Sequence, residues 1–172
     1  MKNRFAKVAA VLIALALSSV AREQKFDTYT NVRFGYAVDY PADMLTPQGE
    51  PDNGDGQRFT SQTGDVELLA VGSYNALDKT LRERFAEEME PEDDDAPKRT
   101  VTYKVLKKDW FVVSGTEGKR VFYTKVMLKE DTFKRMTFRY PAERDAELTP
   151  LTARIAKSFR HVQVETDRTG SP

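Results

Sequence analysis

No cysteine occurs in the 172-residue chain. That excludes disulfides, thiol catalysis, redox exchange and thiolate metal sites, and it leaves apolar burial to stabilise the fold. Histidine is almost missing too: His161 stands alone, in Phe159-Arg160-His161-Val162. One imidazole can act as a general base, but the fold would have to bring it a nucleophile and an orienting acid. Without them it is a surface or strand-edge residue. The paired imidazoles and thiolates that usually hold zinc are both wanting. Nor does any apolar run suit a bilayer, since the longest, Val8 to Leu17, has ten residues against the roughly twenty of a spanning helix.

That short run is instead the middle of an export signal. Lys2, Arg4 and Lys7 make a basic start, the apolar stretch follows, and Ser19-Val20-Ala21 ends it as a small-x-small cleavage site. Cleavage after Ala21 predicts a mature chain from Arg22, with no cysteine at the junction to carry a lipid. The expected product is periplasmic, with no stable membrane insertion once the signal is gone. It has 151 residues (172 less 21), which suits one domain over 22–163. The tail, 164–172, has nothing to bury and is expected to be disordered. Lys and Arg number 24 after cleavage (27 less 3) against 27 acidic residues, a net charge of about −3. This balance gives no electrostatic reason to expect nucleic acid or an anionic membrane as partner.

Along the mature chain, 22–30 reads as a polar lead-in. Phe34-Gly35-Tyr36-Ala37-Val38-Asp39-Tyr40 then places large apolar groups at alternate positions and predicts a half-buried strand ending at Pro41. Residues 42–56, rich in proline, glycine and aspartate, read as a long loop. A hairpin is expected from Arg58 to Ser61 and from Val66 to Gly72. Asn75 is placed to cap a helix running to Met89, with Leu77, Leu81, Phe85 and Met89 as its apolar stripe. After the acidic, proline-bounded connection 90–97, four strands joined by tight turns predict an antiparallel meander: 100–107, 110–116, 120–129 and 133–140. Strand 120–129 has apolar groups on both faces, so both faces of the sheet should be covered. The second cover is a helix over 142–158, with Leu148, Leu151, Ile155 and Phe159 on its apolar side. Pro150 suits a first-turn position there, capped by Thr149. The class is therefore α+β, an antiparallel sheet of about six to seven strands with helices packed on it.

The Phe34-Gly35-Tyr36-x-Val38-x-Tyr40-Pro41 strand, the mid-chain helix, the meander of long strands and a closing helix ending in Ser158-Phe159 resemble the PsbP-like superfamily. The likeness covers nearly the whole mature chain. It implies a small antiparallel sheet with helices on it, and a role in binding, assembly or chaperoning of other proteins, with no catalytic set and no cofactor to carry over.

Candidate sites are few. Asp52-Asn53-Gly54-Asp55-Gly56 has the oxygens of a cation-binding turn, but the helix-loop-helix calcium spacing fails: the third, fifth and twelfth positions are Gly54, Gly56 and Thr63. A looser oxygen site on Asp52, Asn53 and Asp55 stands beside the reading as a plain turn. The seven carboxylates between Glu87 and Asp95 read as a solvated linker, or as a lure for a basic partner. Lys104, Lys107, Lys108, Lys119, Arg120, Lys125, Lys129, Lys134, Arg135 and Arg139 make the meander basic, either to meet an acidic partner or to guard strand edges. Of Trp110 and Phe111, at least one should be core. The function expected is a non-enzymatic exported protein that binds or helps assemble another envelope protein. A small-ligand or divalent-metal module is the alternative, with an enzyme third.

Overall fold

The computed structural model describes residues 24–90 and 96–163. The export signal (1–21), the tail (164–172) and the middle of the acidic connection (91–95) lie outside the described residues.

The segment expected to be a lead-in is a strand, β1 (Phe26–Asn31), paired antiparallel with β2 (Tyr36–Pro41). Its Thr and Tyr content suits a strand, but its polar look hides it: only Phe26, Tyr29 and Asn31 turn inward. Phe34 and Gly35 belong to the β1–β2 turn, with Gly35 at φ +60. In β2, Tyr36, Ala37 and Val38 are all buried rather than alternating. The long loop is broken only by the two-residue β3 (Thr46–Pro47). The hairpin follows as β4 (Gly56–Thr60) and β5 (Glu67–Tyr74).

Helix α1 (Leu81–Glu87) is shorter than its apolar stripe suggests. Asn75 does cap, but it caps a turn: its Oδ1 accepts from Lys79 N at 2.9 Å and its Nδ2 donates to Lys79 O at 3.0 Å. The helix starts one turn later, at a capping box. Glu83 N donates to Thr80 Oγ1 (3.2 Å) while Thr80 N donates to Glu83 Oε2 (2.8 Å). Leu77 is thereby left outside the helix and 75% exposed.

The meander forms as expected from β6 (Arg99–Leu106), β7 (Trp110–Glu117), β8 (Arg120–Lys129) and β9 (Thr132–Pro141). A 3₁₀ turn at Ala142–Arg144 leads into α2 (Asp145–Ser158), and β10 (Arg160–His161) closes the chain. Pro150 lies inside α2, not in its first turn, because the helix starts at Asp145. Its missing N–H deprives the Ala146 carbonyl of a donor, but both residues are exposed and water can serve instead.

A seven-stranded antiparallel sheet, in the order β3-β4-β5-β9-β8-β7-β6, carries a three-stranded sheet, β1-β2-β10, on one side. Alternation along β8 and β9 sends side chains to two cores. Met136, Phe138, Tyr140, Val121 and Tyr123 join Tyr36, Val38, Phe59, Leu68, Leu148, Ile155 and Phe159 beneath β2 and α2. Phe122, Val126 and Phe133 join Phe111, Val113, Leu81 and Phe85 beneath α1. Both faces of the sheet are covered.

Candidate functional site

The loop 42–56 is laced to the body by alternate side chains of β1 and the turn after it. Tyr29 Oη donates to Glu50, Asn31 Nδ2 to Gly54 O at 3.0 Å, and an Arg33 guanidinium nitrogen to Asn53 O. The Tyr36 hydroxyl reaches Asp55 O at 3.2 Å, and Gly72 N donates to the same carbonyl at 2.7 Å. Of the cation candidates, Asn53 Nδ2 donates to Asp55 Oδ2 at 2.8 Å, Asn53 Oδ1 accepts from Asp55 N at 3.3 Å, and Gly54 N closes a turn onto Pro51 O. The carbonyls of Asn53, Gly54 and Asp55 are thus already engaged, and the Asx pattern is that of a turn. The side-chain oxygens of Asn53 and Asp55 are spent on each other's groups. Among the described residues no group of three or more His, Asp or Glu side chains converges as metal ligands. Millimolar calcium should accordingly leave the melting temperature of wild type and of an Asp52→Ala/Asp55→Ala variant equal. A rise confined to wild type would establish the oxygen site, since a ligand held only by the native state stabilises it.

His161 occupies β10, opposite Tyr36 in register. Its Nε2 lies 3.4 Å from Glu130 Oε1, yet neither ring nitrogen makes a hydrogen bond. No hydroxyl is hydrogen-bonded to it, so the nucleophile–base pair that catalysis would need is not assembled among the described residues.

The exposed apolar groups gather elsewhere. Val32 (64%), Tyr74 (62%) and Leu77 (75%) are three of the four large hydrophobic residues left open to solvent among the described residues, and all three lie at one end of the sheet. There the β1–β2 turn meets the end of β5 and the β8–β9 turn. Asn31 Oδ1 accepts from Phe34 N at 2.9 Å and so fixes the first turn. Phe34 packs over Gly72, where a Cβ would overlap its ring, and against Tyr74 at 5.0 Å between centroids. The Arg33 guanidinium stands 5.2 Å from the Phe34 ring and 5.8 Å from that of Tyr74, within cation–π range. Glu130 and Asp131 both take positive φ, and Asp131 O accepts from Asn75 N at 3.0 Å, tying the second turn to the third element. The result is an apolar rim with a stacked cation, Arg33, flanked by the exposed acidic residues Asp78, Glu130 and Asp131. Nothing in the spacing of Val32, Tyr74 and Leu77 marks them; the one available signal was that Leu77 precedes the Thr80-x-x-Glu83 capping box and so cannot belong to the helical stripe.

Several basic residues of the meander are spent inside the protein. Lys125 Nζ donates to the Ala156 and Phe159 carbonyls at 2.8 and 3.1 Å, capping α2, and burial lowers its pKa. Lys134 is fully buried, donates to Lys129 O at 2.9 Å, and is likewise lowered by burial. On the α1 face, Glu88 belongs to no solvated linker. Its carboxylate is buried against Arg135 at 2.8 Å, Arg84 at 3.4 Å and Arg99 at 3.7 Å. Arg99 also pairs with Glu117, which holds Arg139 at 3.1 Å. The helix end carries Glu88 over the sheet, something a run of acidic letters does not show. Among the described residues no helix is long and apolar enough to cross a membrane.

No protein-family profile and no curated protein sequence matches the chain. Its structure is similar to the solution structure of cyanobacterial PsbP (CyanoP) from Synechocystis sp. PCC 6803, with a TM-score of 0.62 at 14% identity, over 86% of this chain and 98% of that one. At that identity the likeness speaks for architecture, and the architecture agrees with the strand, meander and closing helix that carried the resemblance in the sequence: the chain has the PsbP-like fold.

Proposed function

We propose that this is a non-enzymatic, exported protein that binds or helps assemble another envelope protein, and that it docks its partner through the end of the sheet bearing Val32, Tyr74 and Leu77. The carrying observation is the concentration of exposed apolar side chains there around a stacked arginine. Monomeric surfaces seldom leave such groups clustered without an interaction to make, and aromatic residues with arginine are the groups enriched in protein interfaces. The rim is held by backbone and side-chain hydrogen bonds, so little order has to be created on docking. The basic start, apolar middle and Ser19-Val20-Ala21 of the export signal support a periplasmic address.

The test is a pull-down from the periplasmic fraction with tagged wild type and a Tyr74→Ala/Leu77→Ser variant. Both side chains are exposed, so the fold should persist. A protein co-purifying in stoichiometric amount with wild type and lost from the variant is the expected result, on a bait whose mass begins at Arg22. Equal recovery by both baits would place the interface elsewhere, and recovery of an intact Met1 form in the membrane would overturn the export reading.

A further inference from the structure

The other face of the molecule contains a cleft that the docking end does not touch. Helix α2 packs chiefly over β2, β9 and β8, with β6 and β7 of the same face lying beyond its edge. Between them is an open space of about 460 Å³, within the usual size of small-molecule sites. A bulge shapes its outer wall. The β6–β7 register slips between Val101 and Tyr103, so that Val101 faces Gly115 and Tyr103 faces Ser114. Bulges of this kind re-aim a side chain, and here the residue beyond the bulge is Tyr103, the fourth exposed large hydrophobic at 54%. Tyr123 lines the cleft as well, and its hydroxyl has no hydrogen-bond partner among the described residues.

The inner wall is a built hydrogen-bond chain. Buried Thr152 reaches the buried Tyr140 hydroxyl at 3.5 Å, Tyr140 donates to Asp145 Oδ1 at 2.9 Å, and Thr149 donates to the same oxygen at 3.0 Å. Oδ2 of Asp145 has no partner among the described residues, and the carboxylate makes no ion pair with any of them. No lysine, arginine or histidine lines the cleft.

We infer that this cleft binds a small organic ammonium ion, with Asp145 as counter-charge and the Tyr103 and Tyr123 rings as its aromatic walls. The charge decides against the other classes. An anion would meet an uncompensated carboxylate and no cation. A wholly apolar ligand would strip water from Asp145 and from the hydroxyls that line the cleft without replacing it. An alkylammonium satisfies both features, since ring faces attract it and the carboxylate pairs with it. Asp145 lies in the first turn of α2, at the positive end of the helix. That end carries only about half a unit charge, so it does not cancel the full charge of Asp145 for an incoming cation.

The probe is choline, compared with its neutral carbon isostere 3,3-dimethylbutan-1-ol and with the anion 3,3-dimethylbutyrate. Ring signals of Tyr103 and Tyr123 are followed by NMR in the mature protein. Choline should shift both saturably, with the isostere binding about tenfold more weakly and the anion not at all. Tyr103→Ala removes an exposed ring, and Asp145→Asn keeps an acceptor for Tyr140 and Thr149. Each should weaken choline about tenfold while leaving the dispersion of the amide spectrum unchanged. No saturable shift in wild type at tens of millimolar, equal binding of the isostere, or undiminished binding in Asp145→Asn would each overturn the assignment.

Discussion

Replacing Glu88 by alanine should cost about 3–5 kcal/mol of stability, the range for removing one partner of a buried ion pair. The Glu88 side chain is 3% exposed and that of Arg99 only 1%. Desolvation is therefore already complete, and the Glu88 charge is what offsets it. Without Glu88, Arg99 keeps Glu117 and the face of Phe122, 4.4 Å from its guanidinium carbon, whereas Arg84 loses one of its two carboxylates. Glu87, its neighbour, is the control. Its bonds to Lys79 and Arg84 lower its pKa, but the pair lies at the surface, and Glu87→Ala should change stability by no more than about 0.5 kcal/mol. Urea denaturation of both variants measures the contrast. A loss below about 1 kcal/mol for Glu88→Ala would mean that these pairs behave as surface pairs.

Tyr36→Ala should be comparably damaging, about 3–5 kcal/mol, as for other large aromatic truncations in a core. Tyr36 is fully buried, edge-on to Tyr29 and Phe159, and its hydroxyl meets Ala70 O at 3.0 Å as well as Asp55 O. Tyr36→Phe separates the two contributions, because it keeps the ring and removes the hydrogen bonds, and it should cost about 1 kcal/mol. The same side chain gives the protein an alkaline limit. Burial pushes the Tyr36 pKa up strongly, and burial with Glu50 pushes Tyr29 to about 12. Both phenols are then neutral in the native state at a pH where the unfolded chain has begun to ionise. Their contribution is complete below about pH 10, the unfolded value, and falls as pH rises beyond it. Denaturant melts between pH 8 and 11 should show stability flat at first and declining near the top. Tyr36→Phe should flatten that decline, and an unchanged slope would refute the assignment.

The parts of this fold that were legible in the sequence are those where one local pattern meets no competitor. The meander is such a case: tight turns at Lys108-Asp109 and Glu130-Asp131 and strands of nearly equal length leave little choice of pairing. β1 escaped because Phe26-Asp27-Thr28-Tyr29-Thr30-Asn31 buries only part of its length, and pairing with β2 makes up what hydrophobicity does not signal. The mid-chain helix was over-extended because Leu77 falls on the helical period, whereas Asn75 and the Thr80–Glu83 box set the start one turn later. Leu77 thereby moved from the expected core to the docking rim. Helical i,i+4 spacing reaches Asp145–Thr149 and Arg84–Glu88, but the links from Asp145 to Tyr140 and from Glu88 to Arg99 and Arg135 cross between elements, where no spacing rule applies.

β5 finds its second neighbour in β9, with the whole of β6, β7 and β8 between them in the chain. A ribosome releases residues in order, so Leu68-Leu69-Ala70-Val71 emerges with one edge occupied by β4 and the other bare until β9 has followed. Such an edge is a template for pairing with a second chain, and non-local strand pairing is slow. The meander can close through its own hairpins, but the β4–β5 hairpin must wait. A longer-lived unpaired edge should lower the yield of folded protein, and changes that slow or weaken the meander should appear first as aggregation of newly made chains rather than as a lower melting temperature.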